Sequence, residues 1–170
     1  MEFWIIYDAE TGEERWRGSG PTGSSNAQDL PAGLSLFVCP QEAIVGGQMN
    51  IPLLRTYAAT GVDAQAEAVR QQFLTPGAGQ AMTYQRKEAE ARAWIADNSA
   101  AVPFLAAEAP ARAMTIAALA AEVIQLADAW TAIGSTIEGL RMGAKTQLGQ
   151  ASTFAEVVTA SKIDCSALRA

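Results

Sequence analysis

The sequence contains no histidine among its 170 residues. Histidine is the commonest metal ligand and the commonest general base near neutral pH, so its absence removes the usual basis of metal-dependent and acid–base catalysis. A serine, threonine or cysteine nucleophile would still need a base, which leaves only lysine-based or carboxylate-based schemes. We therefore expect a protein that is not an enzyme, with no catalytic residues, no metal ligands and no cofactor.

Cysteine is scarce as well. Cys39 and Cys165 lie far apart in the chain, and neither has a second cysteine or a histidine near it in sequence. This spacing excludes a zinc-finger type of ligand set and a disulfide framework. Two reduced, structural thiols are the expected state, and a single intramolecular bridge is the alternative.

Basic side chains are outnumbered by acidic ones. The chain has 12 lysine and arginine residues against 18 aspartate and glutamate residues, which gives a net charge of -6. A field of this sign repels the phosphate backbone, so nucleic acid is not an expected partner. No basic segment precedes the apolar residues at the amino terminus, so the sequence indicates no secretory signal and we expect synthesis in the cytoplasm.

Long apolar runs are missing too. The most apolar stretch, residues 113–121, is interrupted by Glu122. A helix needs about 20 apolar residues to cross a bilayer, so we expect no membrane span. The overall apolar content of 49% is nevertheless ample for a hydrophobic core, and the chain is not expected to be disordered.

Aromatic and β-branched residues concentrate near the amino terminus in segments bounded by turn residues. These segments are residues 3–8, 13–18 and 33–39. Gly12 lies in the turn between the first two, which predicts a β-hairpin, and Pro40 ends the third, which predicts one more strand. Residues 19–32 are rich in small polar residues, glycine and proline, so we expect an exposed connecting loop there.

The segment that follows has mixed signals. Residues 41–60 contain Gly46-Gly47 and Pro52, which break regular structure. We therefore expect mostly loop, with a short strand around residues 49–54. The sequence thus predicts a β-rich head module over residues 1–60.

Residues 61–170 have the spacing of apolar residues that is typical of helices. Helices are predicted at about residues 62–74, 79–97, 115–148 and 153–161. Pro76 follows the first of them, Thr115 is the expected cap of the third, and Thr153 and Glu156 have the form of a capping box for the fourth. The alanine-rich residues 104–109 predict one or two further helical turns.

The longest predicted helix carries a continuous apolar row, which we call the seam. Its members recur in alternating steps of three and four residues: Ile116, Leu119, Val123, Leu126, Trp130, Ile133, Ile137, Leu140 and Ala144. The first eight are the predicted interface residues, because a seam of this length needs other helices against it. Packing inside the chain's own bundle and packing against another subunit both fit the pattern.

The charged residues 85–92 lie on the second predicted helix. Glu88 and Glu90 are two positions apart, so their side chains diverge and cannot act together as a catalytic pair. We interpret both as solvated charges, with Glu88 paired to Arg92 across one helical turn.

Together these patterns predict an α+β fold: a small N-terminal antiparallel β-module followed by an α-helical bundle with one long coiled-coil-like helix. Three strings of the sequence resemble small tail-region proteins of tailed bacteriophages and prophages. They are FWIIYDAETGE at residues 3–13, LPAG at residues 30–33 leading into FVCP at residues 37–40, and QAMTYQRKEAEA at residues 80–91. The resemblance is one of layout and short strings, and it carries no catalytic or ligand-binding motif.

This resemblance implies a non-enzymatic virion structural protein of the phage tail, bound to tail-fibre or baseplate proteins in a homo-oligomer or hetero-complex. The alternative is a transient tail-fibre assembly chaperone that is not retained in the virion. A remote alternative is a small hydrolase that uses the carboxylates of Asp8 and Glu10. A deep pocket lined by two buried carboxylates would be the signature of that hydrolase.

Overall fold

The structure is a computed structural model that describes residues 1–75 and 77–168 and, at Ala78, the backbone alone. The expected break at Pro76 lies outside the described residues. The chain divides into two units. Unit 1 consists of Met1–Ala68 and Glu138–Ala170, and unit 2 of Val69–Ile137.

A three-stranded antiparallel sheet forms the amino-terminal part of unit 1. Its strands are β1 (Glu2–Asp8), β2 (Glu14–Gly20) and β3 (Leu34–Cys39), in the order β2-β1-β3. The predicted hairpin and the predicted third strand are both confirmed. The central strand β1 contributes buried side chains from both of its faces, which fits its run of consecutive apolar residues.

Short elements follow the sheet and lead into the helices. A 3-10 turn at Ser24–Ala27 interrupts the mostly exposed loop between β2 and β3. A second 3-10 turn at Gln41–Ala43 precedes a small hairpin of β4 (Ile44–Val45) and β5 (Gln48–Met49).

The remaining regular elements of the described residues are helices, and together with the sheet they confirm the predicted α+β class. The helices are α1 (Ile51–Arg70), α2 (Ala78–Ala96), α3 (Pro103–Ala111), α4 (Ile116–Gln150) and α5 (Phe154–Ala160), and a 3-10 turn follows at Ser166–Leu168. The predicted caps of the last two α-helices are present. Thr115 Oγ1 accepts a hydrogen bond from the Ala118 amide at 3.1 Å, and Thr153 and Glu156 form the reciprocal capping box.

The first helix begins much earlier than the sequence predicted. The loop expected up to residue 60 and the strand expected around residues 49–54 are wrong, because α1 already begins at Ile51. Asn50 Oδ1 accepts a hydrogen bond from the Leu53 amide at 3.2 Å and so caps the helix. Pro52 is tolerated in the first turn, where a backbone N–H has no helical partner to lose.

The core of unit 1 lies between one face of the sheet and its helices. Its largest buried side chains come from β1, α1, the end of α4 and α5: Ile5, Tyr7, Leu54, Val62, Leu148, Phe154, Val157 and Val158. The Phe154 ring meets the rings of Tyr7 and Phe37 edge to face, with centroids 5.7 Å and 5.9 Å apart. Cys39 and Cys165 are both free and buried, as expected, and burial raises the pKa of the Cys39 thiol.

The other face of the sheet is closed by an indole ring. Trp4 is only 4% exposed, and its ring lies directly over Gly18 on the neighbouring strand. A Cβ atom at Gly18 would overlap that ring. The glycine is therefore required by the close approach of the indole.

The turn of the first hairpin is held by one carboxylate. Asp8 Oδ1 accepts hydrogen bonds from the amides of Glu10 and Thr11, at 3.1 Å and 3.0 Å, and Oδ2 accepts one from Arg15 at 3.0 Å. The Thr11 amide, the Arg15 guanidinium and the Glu10 amide lower the pKa of Asp8 to about 2. Both oxygens of this carboxylate therefore accept hydrogen bonds that stabilise the turn.

We expect the free energy of unfolding to fall at acid pH because of this turn. Because the pKa of Asp8 is lower in the folded chain than its ordinary value of 3.8, its contribution is complete above about pH 4 and is lost as the pH falls toward 2. Urea-unfolding midpoints measured from pH 6 to pH 2 should fall less steeply in Asp8→Asn than in the wild type. Asp29→Asn, in the exposed connecting loop, should follow the wild-type profile. Identical profiles for all three proteins would contradict this role of Asp8.

Candidate interaction surface on the long helix

Helix α4 carries all the predicted interface residues. It is continuous over 35 residues, contains no proline and is rich in alanine, and it would extend about 50 Å at 1.5 Å per residue. The seam forms two adjacent rows on this helix, each with a spacing of seven residues. One row is Ile116, Val123, Trp130, Ile137 and Ala144, and the other is Leu119, Leu126, Ile133 and Leu140.

The two ends of the seam are covered. In unit 2, Leu119 is fully buried in a cluster with Val102 and Leu105 of the preceding segment, and Ile116 and Val123 pack against this cluster. Ile137 is fully buried as well. In unit 1, Ala144 belongs to the core described above and Leu140 is half-buried.

The middle of the seam is open. Leu126 is 63% exposed, although its neighbours in the same row, Leu119 and Ile133, are buried and half-buried. Ala129 is exposed and Trp130 is half-buried. We call Leu126, Ala129, Trp130 and Ile133 the open patch. It lies within unit 2.

The indole of Trp130 lies along the helix rather than projecting from it. A Cβ atom at Gly134 would be 3.3 Å from Cε2 and Cζ2 of the Trp130 ring, which is tighter than ordinary van der Waals contact. Gly134, one turn later, therefore gives the ring room to lie along the helix. A ring in this position can form part of a flat apolar contact surface.

The acidic side chains next to the open patch form ion pairs within unit 2. Glu122 accepts hydrogen bonds from Arg112 Nη2 on both carboxylate oxygens, at 2.8 Å and 3.0 Å. Asp128 on α4 accepts one from Arg92 on α2 at 2.6 Å. Because these groups are exposed, the pairs contribute little to folding, but they leave the apolar residues between them without an unpaired acidic neighbour.

Unit 2 exposes other large apolar side chains. Among its described residues those exposed are Phe73, Leu74, Met82, Tyr84, Ile95, Phe104 and Leu126, whereas those buried and larger than alanine are Val102, Leu105, Leu119 and Ile137. Single exposed apolar residues are normal on protein surfaces. Of the exposed residues, Leu126 is the one that lies in the seam of α4.

Glu90 on α2 is not the solvated charge that the sequence predicted. It is 4% exposed, and its Oε2 accepts hydrogen bonds from the amides of Phe104 and Leu105, at 2.8 Å and 3.2 Å. Helix α3 needs this acceptor because Val102, at its N-cap position, has no side-chain oxygen. The signal in the sequence was a helix beginning at Pro103 without a polar cap. Glu88 does pair with Arg92, as predicted.

Removing this buried cap should destabilise the protein. We expect Glu90→Ala to lower the free energy of unfolding by about 1–3 kcal/mol, because two amides at the start of α3 lose their acceptor. Glu88→Ala, two residues away on the exposed surface, is the matched control and should change stability little. Urea denaturation followed by circular dichroism measures both. Equal stability of the two variants would contradict the capping role.

No protein family, curated protein or solved structure matches this chain.

Helix α4 also has the length and composition of a membrane-crossing helix. Its most apolar 18-residue window has a mean hydropathy of 1.4, and 11% of that window is buried. It is the one such helix among residues 1–75 and 77–168. Length and composition alone are weak evidence of a span, because helices of other kinds pass the same test.

Among the described residues, little supports the alternative that the chain is a small hydrolase. The Asp8 carboxylate already accepts hydrogen bonds from backbone amides of its turn, and Glu10 is exposed. A groove of about 420 Å³ in unit 1 is lined by Gln147, Gln150, Ala151, Ala155, Glu156, Thr159 and Ala160. Its only carboxylate, that of Glu156, already accepts hydrogen bonds from Ser152 and Thr153. A second carboxylate to complete an acid–base pair is missing from this lining.

Proposed function

We propose that this chain is a non-enzymatic assembly protein that binds other proteins through the open patch of α4. The resemblance of its short strings to phage tail-region proteins supports a place in the tails of bacteriophages, where it would attach or organise fibre or baseplate components. The observation that carries the proposal is the exposure of Leu126 in the middle of a seam whose two ends are buried. An apolar row interrupted in this way has room for a further helix.

Burial of apolar surface supplies the binding energy. Covering a large apolar side chain contributes about 1.5–3 kcal/mol, before the entropic cost of association is subtracted. Leu126, Trp130 and Ile133 are adjacent, so one partner helix would cover all three. A partner whose contact surface is itself apolar and helical is the best match.

The ion pairs beside the patch favour a protein rather than a lipid bilayer as the covering partner. If this part of α4 crossed a bilayer, the side chains of Glu122 and Asp128 would enter the hydrocarbon region. Their partners Arg112 and Arg92 would have to enter with them, or the ion pairs would break. Charged side chains at the centre of a bilayer cost several kcal/mol each. Packing against another helix leaves both pairs in water.

Co-expression with the products of neighbouring genes, followed by affinity purification, tests the proposed function. We expect stable co-purification with a fibre or baseplate component, and we expect mass spectrometry to find the chain in purified particles. A chain that binds the fibre in lysates but is missing from particles would instead be a transient assembly chaperone. A chain that co-purifies with no tail component in either setting would contradict the proposal.

A further inference from the structure

We propose that the outer edge of β3 binds an extended segment of another polypeptide, which adds a fourth strand to the sheet. The segment is uncharged along its length and carries a lysine or arginine at each end. β3 belongs to unit 1 and the open patch to unit 2, so this contact is separate from the one proposed above.

The backbone of β3 has groups that point away from the sheet. β3 is an edge strand, and its neighbour in the sheet is β1. At the end of the two strands the Ala9 amide donates to the Gly33 carbonyl at 2.8 Å, so these two residues form a hydrogen-bonded pair. Hydrogen-bonded and non-hydrogen-bonded pairs alternate along an antiparallel ladder. The amides and carbonyls of Leu36 and Val38 therefore point away from β1.

These outward groups are available to a further strand. Within the described residues, no hydrogen bond from outside the sheet reaches the backbone of Leu36 or Val38. The Leu34 amide, at the start of the strand, is already used, because it donates to the Pro31 carbonyl at 3.1 Å. An incoming strand can form four main-chain hydrogen bonds with Leu36 and Val38, which is how extended peptides bind to the edge of a sheet.

The two edges of the sheet differ in their protection against such pairing. Proteins protect an edge strand with charged side chains, proline or a bulge. β2 carries Glu14, Arg15 and Arg17, and its register with β1 shifts between Ile6 and Tyr7. β3 has the sequence LSLFVC, with no charge and no proline, and pairs with β1 in one unbroken register. The edge of β3 is therefore the one that can accept a strand.

Apolar side chains flank this edge on both faces of the sheet. Leu36 and Val38 lie on one face and Phe37 on the other, and all three are half-buried. The Phe37 ring meets the ring of Tyr57 on α1 edge to face, with centroids 6.2 Å apart, and Tyr57 is 41% exposed. A fourth strand would lie beside apolar groups on both faces, so its own side chains should be uncharged.

The charges nearest to β3 along the chain decide between another polypeptide and a second copy. They are Asp29 before the strand and Glu42 after it. Both are exposed, and neither forms an ion pair within the described residues. An antiparallel pair of two β3 strands would bring Asp29 of one copy toward Glu42 of the other, and these like charges repel. A segment with a cation at each end is attracted instead.

Peptide titration followed by amide NMR spectra of the full chain tests the proposal. The probe is a peptide of alternating valine and threonine with one lysine at each end. We expect a dissociation constant on the order of 0.1 mM. With the peptide at about ten times that concentration, hydrogen exchange of the Leu36 and Val38 amides should slow about tenfold. The amides of β2 should keep their exchange rates.

Two control peptides separate the main-chain hydrogen bonds from the charges. N-methylation of the inner amides keeps the side chains and the end charges but removes the donors, so binding should be lost. Replacing both lysines with glutamate keeps the main chain, and should weaken binding at least about fivefold at low salt.

Variants of the chain test the same hydrogen bonds from the other side. Leu36→Pro removes an amide donor that β1 does not use, whereas Leu36→Ala shortens the side chain and keeps the donor. Leu36→Pro should bind the peptide at least about tenfold more weakly than Leu36→Ala. Leu126→Glu, which changes the open patch, should bind the peptide as the wild type does. The control peptides remain decisive even if Leu36→Pro does not fold.

Three results would overturn the proposal. One is equal binding of the parent and the N-methylated peptide, and another is no effect of the parent peptide on Leu36 and Val38 at millimolar concentration. The third is a chain that doubles its mass in light scattering without peptide while its β3 amides become protected, since a second copy would then occupy the edge. None of these results bears on the open patch, which Leu126→Glu tests separately.

Discussion

Leu126→Glu should weaken binding to the partner at least about 100-fold while leaving the chain folded. The side chain is 63% exposed, so the substitution removes little packing from unit 2. In the complex, the new carboxylate would be buried against apolar side chains, and an unpaired buried charge costs several kcal/mol, of which about 2.7 kcal/mol already gives a 100-fold loss. Titration of purified partner into wild type and variant, by calorimetry, measures the ratio.

The matched control for this prediction is Ala117→Glu. It places the same charge on the same helix, at an exposed position outside the seam and in the first turn, where a glutamate is favourable. Its affinity should stay within about twofold of the wild type. Trp130→Glu is a less specific test, because Trp130 is half-buried and its loss could also disturb folding. Equal affinities of Leu126→Glu and Ala117→Glu for the partner would contradict a role of the open patch in binding.

Gly18→Ala should cost about 1–3 kcal/mol of unfolding free energy or more. The added Cβ would overlap the indole of Trp4, so the ring must leave its buried position over β2 or the strands must separate. We expect a lower urea midpoint together with a red-shifted tryptophan fluorescence spectrum. The fluorescence distinguishes displacement of Trp4 from a general loss of helix stability.

Gly61→Ala is the control for the loss of a glycine as such. Gly61 lies inside α1, and a Cβ there would meet no atom within 4 Å. Because alanine is the better helix former, this variant should gain about 0.5–1 kcal/mol. If Gly18→Ala were as stable as the wild type, the close packing of Trp4 on the sheet would be disproved.

The elements that could be predicted are those specified by neighbouring residues. The hairpin, the third strand and the capping box at Thr153 depend on alternation, turns and caps within a few positions, and the structure confirms them. The start of α1 was missed for the opposite reason. Gly46-Gly47 and Pro52 suggested an irregular segment, but the cap at Asn50 places Pro52 in the one turn of a helix that tolerates it.

The interaction surface could be predicted only in part. Periodicity identified α4 and its seam, but it could not show which members of the seam are covered by the chain's own core, because that depends on distant residues such as Leu105. The burial of Glu90 could not be predicted for the same reason. Its partners are the amides of Phe104 and Leu105, which lie on another helix and which no local pattern connects to it.

The most direct test of the central claim is thiol labelling at position 126. Leu126→Cys, whose two native cysteines are buried, should react rapidly with a maleimide in dilute isolated protein. The account predicts at least a tenfold slower reaction once the chain is bound to its tail partner. Labelling at the same rate in the free and the assembled protein would show that nothing covers the open patch, and would contradict the account.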